Sequence, residues 1–260
     1  MLYAAFALWL LLIVLTAVGV QRLWTSLVRP VWVHWALLPG TLVAQMAYIF
    51  GALITGGEVR HARLLPRKGD ARSPDAPAAE ASPRVKFLGP AVASLMVLLA
   101  CGGCILLANW LLGDTVIQRF VLSHGVLDVP KLPQELPGSW AGLWDRLVGQ
   151  VRLLQRMFET LGGVEWLDWR TPLFVYLAAC LSVRLAPGGR DLRPALAAVL
   201  FVAALIAAAG IASERFERLL LDLWPLLTYV WANLLTLLTV TLLVRGAAAL
   251  AGIAAGRRPR

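Results

Sequence analysis

The chain has 260 residues, of which 59% are hydrophobic and 15% charged, with a formal net charge of +9. Soluble domains run nearer half apolar and a quarter charged, so this composition excludes an ordinary water-soluble globule. The basic excess lies between apolar blocks and at the tail Arg257, Arg258 and Arg260, which points to membrane topology and anionic lipid rather than nucleic acid.

The first apolar block, about Leu2 to Leu23, has no basic residue before it, unlike a typical secretory signal, and is read as a retained first span. The second, Val31 to Thr55, is interrupted by Pro39-Gly40, where a kink or fresh start is expected. A stretch from Arg67 to Arg84, rich in Pro and Ala with no large apolar side chain, cannot offset its ordering entropy and is expected to be a flexible cytoplasmic connector (67–84). The third block covers about Phe87 to Leu112.

The extramembrane segment 113–168 follows, and within it 139–162 reads as one amphipathic helix, capped by Ser139 and ended by Gly162-Gly163. Its expected apolar face is Trp140, Leu143, Trp144, Leu147, Val151, Leu154, Phe158 and Leu161, a pattern for a helix lying on the bilayer or capping the bundle. A fourth block, about Trp169 to Leu185, a fifth, Leu192 to Ala212, and a sixth, Leu221 to Leu250, complete the chain. These blocks do not alternate as barrel strands do. The expectation is therefore an all-α, polytopic transmembrane bundle of about six spans with one interfacial helix, a single membrane domain over residues 1–260. More Lys and Arg in the connector, the turn Arg184 to Arg193 and the tail than in the opposite loops places both termini in the cytoplasm.

Polar residues inside apolar blocks are the natural candidates for function. Thr41, Gln45, Tyr48 and Thr55 share one helical face, expected to point into the bundle, where hydrogen bonds to neighbouring helices would account for them. Tyr229, Asn233 and Thr236 form a second polar face, which could meet the Gln45 stripe. Lys, Arg, Asp and Glu all fall near block ends, and Glu214 with Arg218 suits a surface ion pair. Cys101-Gly-Gly-Cys104 lacks a second Cys pair, and its glycines read as a close helix contact; Cys180 is likewise a small apolar residue. His34, His61 and His124 make no ligand pair by spacing. Neither a phosphate-cradling glycine loop nor a serine elbow occurs.

The segment from Leu38 to Gly57, LPGTLVAQMAYIFGALITGG, resembles the metal-binding helix of the site-2 protease-like membrane zinc metallopeptidases, in its Pro-Gly-Thr lead-in and in an ending similar to the family's small-residue and Leu-Thr-Gly ending. Pro39, Gly40, Thr41, Gly51, Leu53, Thr55 and Gly56 carry the likeness, and Gly89-Pro90 suits it. Tyr176 to Leu192 is loosely similar to a second family region in which an acidic residue supplies a third metal ligand, and Asp191 is its counterpart. Where the family has two zinc-binding histidines and a general-base glutamate, this chain has Ala44, Tyr48 and Gln45. Ala44 has no donor atom, Gln45 cannot act as a base, and a protonated phenol is a poor zinc ligand. Without imidazoles at i and i+4 the family's hydrolytic chemistry is lost. The resemblance thus implies a pseudoenzyme with no catalytic residue, metal or cofactor, a scaffold in the bilayer, expected to be a bacterial inner membrane, that binds a transmembrane partner protein. A small transporter or channel subunit and an active peptidase with atypical ligands are the alternatives.

Overall fold

The computed structural model describes residues 2–28, 30–56, 58–62, 79–82, 88–113, 116–117, 120, 140–185, 193–212 and 214–254. Helices dominate in chain order: α1 (Leu2–Leu27), α2 (Pro30–Ala36), α3 (Leu38–Ile54), α4 (Leu88–Leu112), α5 (Trp140–Gly163), α6 (Arg170–Arg184), α7 (Arg193–Ala212) and α8 (Glu214–Ala254). Between α3 and α4 a short antiparallel pair, β1 (Glu58–Ala62) with β2 (Ala79–Ser82), qualifies the all-α expectation. Gly56, at a φ of 71°, turns the chain out of α3 toward this pair. Residues 79–82 of the expected connector are therefore paired strand, whereas 67–78, 83 and 84 lie outside the described residues.

Among the described residues three helices are long and apolar enough to cross a membrane: Leu2–Leu27, Gly89–Leu112 and Leu220–Ala247. Helix α3 and the segment Leu196–Ile206 are apolar but shorter. Helix α6, the expected fourth span, has 15 residues, and at about 1.5 Å per residue falls short of a hydrocarbon core of roughly 30 Å. Outward faces are strongly apolar, with Leu42, Met46, Phe50 and Ile54 exposed on α3, Leu106, Leu107 and Trp110 on α4, and Leu242, Leu243 and Val244 on α8. Such surfaces fit a membrane-integral protein, because only lipid tolerates them at this extent.

Packing inside is aromatic and close. Phe6 meets Trp224, and Trp9 meets Trp231 edge-on at 5.4 Å between centroids, joining α1 to α8. Further along the same two helices the Trp24 indole donates to the Thr241 hydroxyl at 2.7 Å. These contacts advance together along both helices, so α1 and α8 run parallel. Pro225 lies inside α8 and removes the donor that the Leu221 carbonyl would normally meet.

Helix α5 closely matches the expected amphipathic segment, with Ser139 outside the described residues. Its buried stripe differs: Leu153, Met157 and Thr160 face inward, and the Trp231 indole of α8 donates to the Gln150 side-chain oxygen. Val151 and Phe158, members of the expected apolar face, are exposed. The helix thus carries two apolar stripes, which a single moment averages into one direction.

Candidate functional site

The expected break in the second block is present, at Leu37, between α2 and α3. Pro39 has no N–H to continue the ladder, and just before it the Ala36 carbonyl turns to other donors. It accepts the Tyr176 hydroxyl at 2.9 Å and the Cys180 thiol at 3.5 Å, both from α6. One turn on, Gly40 lies against α6 so closely that a Cβ there would stand 2.5 Å from the Cys180 carbonyl oxygen and 3.2 Å from Arg184 Cγ. Farther along, Gly51 meets α4, where a Cβ would stand 2.7 Å from Ala93 Cα. The break and the two glycines seat α3 in the angle between α4 and α6.

Around this seat lie the positions singled out in the sequence. Ala44 and Tyr48 are half-buried against the core, and the Gln45 amide oxygen is buried with no hydrogen-bond partner among the described residues. The Thr41 hydroxyl donates to its own helix at Leu37 O, 2.8 Å away, and Thr55 donates to Ala52 O at 2.9 Å. These threonines therefore do not bond neighbouring helices as expected: the i−4 and i−3 carbonyls are nearer. The most buried residues of α3 are Gly40, Thr41, Ala47, Gly51 and Ala52, so Gln45 and Tyr48 sit at the margin of the inward face. Asp191 lies outside the described residues, as does His124.

Two further expectations fail on geometry. A Cβ added at Gly102 or Gly103 would meet no atom of the described residues within 4 Å, whereas close contacts to other helices lie at Gly40 and Gly51. Helix α6, which packs on α3 and on α8, takes the place expected for a direct meeting of the Gln45 and Tyr229 stripes. Tyr229 packs on Phe174 of α6 and edge-on to Phe120, with centroids 5.6 Å apart in each case. Its hydroxyl and the Asn233 amide nitrogen are buried without partners among the described residues, and Thr236 bonds back to Ala232 O.

Sequence reasoning missed Arg184. Expected at a block end, it is 6% exposed, and its carbonyl accepts the Cys101 thiol at 3.7 Å. Cys101 stands at the centre of the apolar stretch Gly89–Leu112, so the last turn of α6 lies level with the middle of α4. The shortness of the fourth block, about Trp169 to Leu185 with Arg184 next to its end, was the available signal.

The residues at the positions that resemble the family's motif do not fit a zinc ion. Ala44 offers no donor, and the Gln45 amide and the Tyr48 phenol are neutral groups where the resembled family has imidazoles and a carboxylate. Among the described residues no three His, Cys, Asp or Glu side chains are grouped to hold a metal. Comparison with protein-family models, curated proteins and solved structures finds no match.

Proposed function

We propose that this chain is a degenerate member of the site-2 protease-like family, a pseudoenzyme that keeps the helical bundle as a binding scaffold within the bilayer. One observation carries the reading. Gly40 and Gly51, which frame the resembled motif, are the positions where α3 has no room for a side chain, whereas Ala44, Gln45 and Tyr48 carry no metal ligand. The packing role of the framing glycines is retained and the chemistry between them is gone. On this reading α1 and α8 both cross the bilayer, and because they run parallel the crossings are odd in number rather than the expected six. Parallel first and last crossings also set the two ends of the bundle on opposite sides of a bacterial inner membrane, against the expectation of both termini in the cytoplasm, and α5 rests at the interface with Trp166, Leu167 and Trp169 as exposed anchors. The partner is a transmembrane segment of another protein, seated beside Gln45 and Tyr48.

The test is to rebuild the site. Ala44→His, Gln45→Glu and Tyr48→His together restore two imidazoles one turn apart with a carboxylate between them. The rebuilt chain is expected to retain zinc through purification, and less of it when Asp191→Ala is added, while the unaltered chain retains none. A rebuilt chain without zinc removes the family reading, and stoichiometric zinc in the unaltered chain favours an active peptidase with atypical ligands. The level of Arg184 supports the second reading, a small transporter or channel subunit, because such proteins place a charge deep in the membrane. Solute flux in proteoliposomes that disappears with Gln45→Leu would establish it.

A further inference from the structure

Tyr176, Cys180 and Arg184 follow one another at intervals of four along α6 and form a single stripe facing the α2–α3 break. The first two members have an acceptor, the Ala36 carbonyl released beside Pro39. The third does not. Beyond Gly40 the α3 helix is continuous, so its carbonyls are engaged within the helix and offer Arg184 nothing equivalent. The guanidinium makes no hydrogen bond or ion pair among the described residues, and its Nε is fully buried.

A cation enclosed in this way is costly unless it is paired, and guanidinium forks match planar and tetrahedral oxyanions. Two features sharpen the point. Arg184 Cγ lies over Gly40, at the amino end of α3, whose helix dipole adds positive potential there. Among the described residues the Cys101 and Cys180 thiols interact with Arg184, and each already donates to a carbonyl.

We propose that Arg184 and the amino end of α3 form an oxyanion site, which takes the phosphate or carboxylate group of a small solute or the phosphate of an anionic lipid. The proposal stands on the Arg184 stripe and the helix break, and it does not depend on the peptidase resemblance. Thermal unfolding of the full purified chain, followed by tryptophan fluorescence, tests it in two arms. One titrates sodium phosphate or sodium acetate against sodium chloride at matched ionic strength. The other compares nanodiscs of phosphatidylcholine with nanodiscs containing phosphatidylglycerol.

A saturable rise in the unfolding midpoint is expected in at least one arm, and the arm that responds identifies the source. Arg184→Met should abolish the response and raise the midpoint of the ligand-free chain, since it removes the buried charge and keeps the volume. Arg184→Lys, a point charge without the fork, should respond only at higher anion concentration. Arg184→Gln serves as the second neutral variant if methionine does not fold. An unaltered chain indifferent in both arms overturns the proposal, as does a neutral variant that responds like the unaltered chain. If neither neutral variant folds, the titration of the unaltered chain decides, with saturation at one anion per chain sustaining the site.

Discussion

Alanine at position 40 would place a methyl carbon 2.5 Å from the Cys180 carbonyl oxygen and 2.8 Å from the carbonyl carbon. Ordinary carbon contacts lie near 3.5 Å, so the overlap is about 1 Å, and both obstructing atoms belong to a helix backbone that cannot rotate away. Helix α3 must lift from α6, straining the bonds from Tyr176 and Cys180 to Ala36 O. Overpacking of this kind costs about 1–3 kcal/mol, partly offset by the better helix propensity of alanine, worth up to about 1 kcal/mol. Gly103→Ala is the control. Its methyl group meets no atom of the described residues within 4 Å, and the variant should be neutral or stabilising by up to about 1 kcal/mol. The two variants are therefore expected to differ by about 1–3 kcal/mol in reversible unfolding of the purified chain in mixed micelles, with Gly40→Ala the weaker. Equal midpoints for the two would refute the seating of α3 against α6.

Gly51→Ala is expected to fall between these variants, because one of its obstructing atoms is Ala93 Cα but the others belong to the flexible Met96 side chain. Tyr176→Phe removes the stronger donor to Ala36 O and should cost about 1 kcal/mol in the same assay, less than Gly40→Ala. Gln150→Leu breaks the tie between α5 and α8, so limited proteolysis should cut within α5 sooner than in the unaltered chain, with no change in cutting elsewhere.

Much of the helical plan was legible in the sequence. The break near Pro39 follows from a missing N–H, and the extent of α5 follows from periodicity and its terminal glycines, both local effects. The paired strands β1 and β2 were not, because their pairing joins residues some twenty positions apart in a segment with no strand-like alternation. At the candidate site, Ala44, Gln45 and Tyr48 were found as positions, but the inward tilt of α3 was not. Burial there is set by where α4 and α6 press, at Gly51 and Gly40, and not by the polarity of the stripe.

Composition and block length by themselves determined that this is a helical chain suited to lipid, and side-chain chemistry determined that the motif positions carry no zinc ligands. Tertiary structure alone decided which glycines are contact points and which helix stands between the two polar stripes. It also decided the depth of Arg184, because the level at which a short helix ends depends on the neighbour it packs against. Cys101, more than eighty residues earlier in the chain, marks that level.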